Sequence, residues 1–162
     1  MILQIDDWKF DIDMERTMEY SAAEAREHCD CAYCRNFYAA VDKAQPELRP
    51  FLAQFGLDVE APEEMYTPFV NKDLVDYMPV YVVYGKILRG GQYEMAAGSV
   101  NLVAAHIDGC EDYFVLECYE VFLPWVLDEP IEDVVSPANE PGFLQKMILK
   151  LLGRGWKSDL QS

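Results

Sequence analysis

The residues best suited to chemistry lie close together, in Glu27-His28-Cys29-Asp30-Cys31-Ala32-Tyr33-Cys34-Arg35-Asn36-Phe37. Three of the five cysteines and one of the two histidines fall in this stretch. Zinc is the first chemistry they could serve. Structural zinc takes four Cys or His ligands in a tetrahedron. Cys29, Cys31 and Cys34 supply three, and His28, His106, Cys110 or Cys118 could supply the fourth. A second Cys-x-x-Cys knuckle, usual in a complete zinc site, is missing. Thiol redox is the second chemistry. Cys31-Ala32-Tyr33-Cys34 has the Cys-x-x-Cys form, with Cys31 as nucleophile, Cys34 as resolving thiol and Arg35 adding positive charge. Such a site places its first cysteine at a helix N-terminus, where the dipole lowers the thiol pKa, but it normally follows a strand. Packing is the third reading, since free cysteine is among the most buried residue types. Three cysteines so close together give a dedicated role equal standing with packing, and metal stands ahead of redox.

Other candidates are more easily explained without a site. Glu24 and His28 are spaced as a helical ion pair. His106 falls on an expected strand, as a core or edge histidine. Glu117 and Glu120, three apart on a strand, face opposite sides and do not form a carboxylate pair for glycoside chemistry; at least one points inward. No nucleophile elbow, phosphate loop, zincin helix or EF-hand loop occurs in the chain.

The elements around the cluster follow from pattern. Trp8, Phe10, Ile12 and Met14 alternate with charged residues, which predicts a half-buried strand. Ser21 and Glu24 read as a capping box opening a short helix to about His28. A second helix starts near Ala32, carries Phe37, Tyr38, Val41 and Ala44 on one face, and stops at Pro46. A third segment runs from Glu47 to Phe55, with Gly56 at the C′ position and Leu57 as the contact beyond it. Residues 58–78, acidic and interrupted by Pro62 and Pro68, read as an irregular covering loop. Val80 to Tyr84, Ser99 to Ile107 and Tyr113 to Leu123 read as strands of an antiparallel meander, with turns at Gly90-Gly91 and Asp108-Gly109. After a proline-punctuated stretch, Phe143, Leu144, Met147, Ile148, Leu151 and Leu152 recur at helical spacing up to Gly153. The fold class expected is α+β in one domain, 1–162: an N-terminal strand, two or three helices, a meander of three or four strands, and a short C-terminal helix.

Composition narrows the function classes. The chain has 162 residues, is 51% hydrophobic and carries a formal net charge of −16. It can bury a sizeable core without disulfide or metal, and its charge repels phosphate backbones, which argues against nucleic acid as a partner. Lys146, Lys150, Arg154 and Lys157 face only Asp159 in residues 142–162, so this basic tail could dock on the acidic body or on a twin subunit. No apolar run spans a bilayer, and Asp6 and Asp7 interrupt any signal-like start. An odd cysteine count with crowding points to a reducing cytoplasm.

At Cys29-Asp30-Cys31-Ala32-Tyr33-Cys34-Arg35 the chain resembles the Cys-x-Cys-x-x-Cys-Arg segment of the glutathione-dependent formaldehyde-activating family, a zinc-binding β fold. The likeness covers seven residues. The other knuckles of that family are missing, so its activity is not carried over. The longer string from His28 to Phe37, after Trp8-Lys9-Phe10-Asp11-Ile12 and before Gly56-Leu57-Asp58, resembles an uncharacterised bacterial family. That resemblance spans the first third to half of the chain and implies a bacterial, cytosolic origin but no reaction.

Overall fold

The computed structural model describes residues 1–71 and 73–131. They form an α+β structure of three α-helices and an eight-stranded antiparallel sheet. The expected helix at 143–152 and the basic tail lie outside the described residues.

Strands β1 (Ile2–Ile5) and β2 (Trp8–Ile12) form a hairpin with Leu3 opposite Phe10. Asp6, at φ 50, makes its turn in a left-handed conformation that Asp tolerates better than most residues. β2 keeps the expected alternation, with Trp8, Phe10 and Ile12 buried.

Helix α1 (Met14–Glu24) starts well before the expected capping box. Its cap is Asp13, whose carboxylate accepts the Arg16 N–H at 3.1 Å. Ser21 instead lies inside the helix, buried, and its Oγ accepts the Asp58 N–H at 2.9 Å. Sequence pattern conceals this helix because its two buried residues, Thr17 and Ser21, are polar. Thr17 is tied at both ends: its hydroxyl donates to the Asp13 carbonyl at 2.8 Å and accepts the Tyr84 N–H at 3.1 Å. A helix whose core-facing positions are hydroxyls shows no apolar stripe.

A short 3-10 turn (Ala25–Glu27) leads to α2 (Ala32–Ala44), which begins where expected. Helix α3 (Leu48–Ala53) follows, with Pro50 in its first turn, where a missing N–H does no harm. Its end is the expected glycine stop. Gly56 has φ +81, the Leu57 N–H bonds the Leu52 carbonyl, and the Gly56 N–H bonds the Ala53 carbonyl. These are the two bonds of a Schellman motif.

Residues 58–78 are not an irregular loop throughout. Strand β3 (Glu64–Asn71) and the first part of β4 (Leu74–Arg89) occupy much of them. Pro68 is tolerated because, among the described residues, β3 pairs with β4 alone and its register shifts between Tyr66 and Phe69. The sixteen-residue β4 is the spine of the sheet. Its first half lies between β3 and β8 (Val121–Pro124), and its second half pairs with β7 (Tyr113–Tyr119) and then β2. Gly85, at φ +140, marks the crossing onto β2; a Cβ there would lie 2.1 Å from the Asp11 carbonyl oxygen.

Strands β5 (Met95–Ala97) and β6 (Val100–His106) complete the sheet, in the order β1-β2-β4-β7-β6-β5. The meander is therefore larger than expected and ordered differently: β7 sits between β4 and β6. The expected strand 113–123 is β7 and β8, broken where Glu120 adopts φ 59.

Helices α2 and α3 cover one face. Phe37, Val41, Leu48, Leu52 and Phe55 join Phe10, Tyr77, Tyr81, Leu102, Phe114 and Leu116 in one buried cluster. Phe10 meets Phe55 edge-on at 5.2 Å and stacks on Phe114 at 5.3 Å. The buried tyrosines find partners, as such hydroxyls must. Tyr81 donates to the Val59 carbonyl at 2.8 Å and Tyr77 to the Tyr33 carbonyl at 2.9 Å. No described helix is long and apolar enough to cross a membrane.

Candidate metal centre

The N-terminus of α2 gathers the three thiols. Cys31 is the N-cap residue, extended at φ −64 and ψ 157, and Cys34 lies three residues on, in the first turn. N-cap and N3 side chains face each other across that turn, the relation a capping box exploits. Cys29, just upstream, folds back over the helix start, where its sulfur accepts the Cys31 backbone N–H. The sulfurs of Cys29, Cys31 and Cys34 all lie within 4.8 Å of one another. None is in a disulfide; Cys29 and Cys31 are exposed and Cys34 is buried.

The surroundings divide the proton affinity unevenly. The Cys31 N–H, and then the neighbouring thiols, hold the Cys29 thiol below its ordinary value. Burial, and then its contacts with Cys29 and Cys31, push the Cys34 thiol well above it. The helix start thus favours negative charge on the exposed sulfur and keeps the proton on the buried one.

Arg35 shapes the loop and leaves the sulfurs to others. Its Nε donates to the Asp30 carbonyl at 2.8 Å, and its guanidinium pairs with Glu129. It therefore pins the link between Cys29 and Cys31 to the chain beyond β8. The rest of α2 is anchored by Asn36, fully buried, which donates to the Tyr77 hydroxyl and the Pro124 carbonyl, both at 3.1 Å, and accepts the Val126 N–H at 2.7 Å.

His28 is beside the cluster but outside the converging group. Its ring stacks on Tyr38, centroids 4.5 Å apart. The other expected fourth ligands are elsewhere. His106 is exposed at the end of β6, Cys118 is buried in the sheet core, and Cys110, in the β6–β7 connection, donates to the Tyr113 hydroxyl at 3.2 Å. The sequence placed Tyr38 only on the apolar stripe of α2 and not at the site, although it lies one helical turn beyond Cys34 and could have been found there by that spacing. Burial, followed by the nearby thiols, pushes its hydroxyl pKa up.

A cavity of about 240 Å³ opens beside the thiols, lined by His28, Cys29, Cys34 and Tyr38 and, opposite, by Glu63 and Glu64 among other carboxylates. Burial and the nearby Glu63 and Glu27 raise the pKa of Glu24 on the same wall. The arrangement offers three soft sulfur donors, two exposed and one buried beneath them, with an acidic recess alongside. Such donors suit zinc or another thiophilic cation. Comparison with family models, curated proteins and solved structures finds no match for the chain.

Proposed function

We propose that this is a cytoplasmic binding protein in which Cys29, Cys31 and Cys34 hold one zinc ion as thiolates. The observation that carries the reading is the convergence of the three sulfurs within 4.8 Å without a disulfide. Zinc–sulfur bonds of about 2.3 Å in a tetrahedron hold sulfurs roughly 3.8 Å apart, so only small side-chain movements are required. His28 can supply the fourth ligand if its ring leaves Tyr38; otherwise a water completes the tetrahedron. The zinc joins the loop at 29–31 to the first turn of α2. Five free cysteines fit a reducing compartment.

The test is elemental analysis of protein purified without tag or chelator, with about one zinc per chain expected. Zinc at a hundredfold excess over its dissociation constant should stabilise the fold by about 2.7 kcal/mol, a rise of roughly 5–10 °C in Tm. Titration calorimetry in buffers of different ionisation enthalpy should show proton release, because Cys34 must give up its proton to bind. Metal-free protein whose melting ignores both zinc and chelator would overturn the reading.

A thiol–disulfide enzyme with Cys31 as nucleophile and Cys34 as resolving thiol is the second reading, favoured by the N-cap position of Cys31. It requires rapid alkylation of Cys31 at about pH 6; slow alkylation there rules it out.

A further inference from the structure

The three thiols differ in what can reach them. Cys29 and Cys31 are exposed, whereas Cys34 is buried in the first turn of α2. The recess beside them has Cys29 and Cys34 among its lining residues, while Cys31 lies outside that lining. The Cys29 and Cys34 side chains are in hydrogen-bond contact, and the Cys29 sulfur also accepts the Cys31 backbone N–H. An accessible sulfur with a second thiol poised against it is the arrangement on which cysteine oxidation chemistry is built. Here one opening serves both members of the pair.

The recess also selects what enters. Glu24, Glu27, Glu60, Glu63 and Glu64 stand on its wall. Among the described residues, only Glu60 of these five has an ion-pair partner, Arg49. In a chain of net charge −16, such a wall repels anionic oxidants and anionic disulfides. A small uncharged hydroperoxide meets no such barrier.

We propose that metal occupancy of this site is gated by oxidation: a hydroperoxide oxidises Cys29, Cys34 resolves it, and the Cys29–Cys34 disulfide releases the zinc. The proposal rests on the zinc reading above and adds its regulation. In the first step the Cys29 thiolate attacks a peroxide oxygen. An S–O bond forms, the O–O bond breaks, and the leaving oxygen takes up a proton, which leaves Cys29 as a sulfenic acid. The Cys34 thiolate then attacks the Cys29 sulfur. The S–S bond forms, the S–O bond breaks, and hydroxide leaves as water after taking up a proton. Overall, a zinc ion held by three thiolates, one hydrogen peroxide and two protons give the disulfide, the Cys31 thiolate, a free zinc ion and two waters. The sulfurs lose two electrons, the peroxide gains them, and zinc keeps its charge. Structural zinc needs four ligands, and one remaining thiolate does not replace three. Disulfide and metal compete for the same sulfurs, so the oxidation state sets the occupancy.

The test treats the zinc-loaded full chain with hydrogen peroxide. Zinc is measured before treatment, its release is followed with a chromogenic chelator, and disulfides are mapped by mass spectrometry after free thiols are blocked. Roughly one zinc should leave for each peroxide consumed. A peptide joining Cys29 to Cys34 should appear, with Cys31 recovered as the blocked thiol, and reduction with a phosphine should restore zinc binding. A chain that holds no zinc before treatment overturns the zinc reading and this proposal with it. Zinc that stays bound through peroxide, with Cys29 and Cys34 still reduced, overturns this proposal alone. So does a Cys31–Cys34 link, which belongs to the thiol–disulfide enzyme, or zinc loss through sulfinic acid without a disulfide. All of these readouts come from the wild-type chain, so none depends on a variant folding.

Discussion

Five cysteines occupy three kinds of environment, and each sets a different chemistry. Cys29 and Cys31 stand in water at a helix start. Cys34 sits below them. Cys118 is fully buried in the sheet, where burial, followed by the Glu117 charge, raises its pKa well above the ordinary value. The sign of its effect on stability is fixed. A raised thiol pKa stabilises the fold fully below the unfolded value of about 8.5, and that contribution is lost as pH rises beyond it, while the folded thiol stays protonated and the unfolded one ionises. Stability of the metal-free protein should therefore fall between about pH 8.5 and 9.5, by at most about 1.4 kcal/mol per pH unit per buried thiol. Cys118→Ala should flatten that slope, even though the cavity lowers stability at all pH values. Urea titrations across this range give the measurement; an unchanged slope in the variant would assign the loss to other groups.

Among the elements, α1 is the most informative because its start has two rival caps. Ser21 and Glu24 present a capping signature, yet Asp13 does the capping. Asp13→Ala should cost about 1 kcal/mol and lower the exchange protection of the Arg16 amide. Ser21→Ala should leave α1 intact and instead release the Asp58 amide, which its hydroxyl accepts. Amide exchange read residue by residue separates the two, and loss of α1 protection from the Ser21 variant would restore the capping box.

For the whole molecule, charge acts over the longest range. A net charge of −16 sets the folded state against its own repulsion. Salt screens that repulsion over about 10 Å at 0.1 M, so Tm should rise as NaCl increases from about 0.01 to 0.15 M. One local group works the other way. Arg49 binds Asp42, Asp58 and Glu60 at 2.8–3.0 Å and so ties α2, α3 and the chain after them together. This quartet is partly exposed and worth about 1 kcal/mol or less after screening. Thermal melts at several salt concentrations provide the check, and a Tm that falls with salt would mean that such attractive pairs outweigh the repulsion.

Elements that depend on near neighbours were legible in the amino-acid pattern. The alternation of Trp8, Phe10 and Ile12 made β2, Pro46 and the apolar spacing made α2, and Gly56 with Leu57 ended α3, because each depends on neighbours a few residues away. The cysteine spacing likewise put Cys31 and Cys34 across one helical turn. Tertiary structure decided the rest. β3 was hidden by Pro68 and two glutamates, which only an edge strand with a register shift accommodates. α1 was hidden by core-facing hydroxyls whose partners, Tyr84 and Asp58, are distant in the chain. Strand order was likewise out of reach, since the ladder that seats β7 between β4 and β6 joins residues dozens apart. At the site, the motif proposed three sulfurs and a histidine; the fold brought the sulfurs together through the Cys31 N–H and the Arg35 anchor, and stacked His28 on Tyr38.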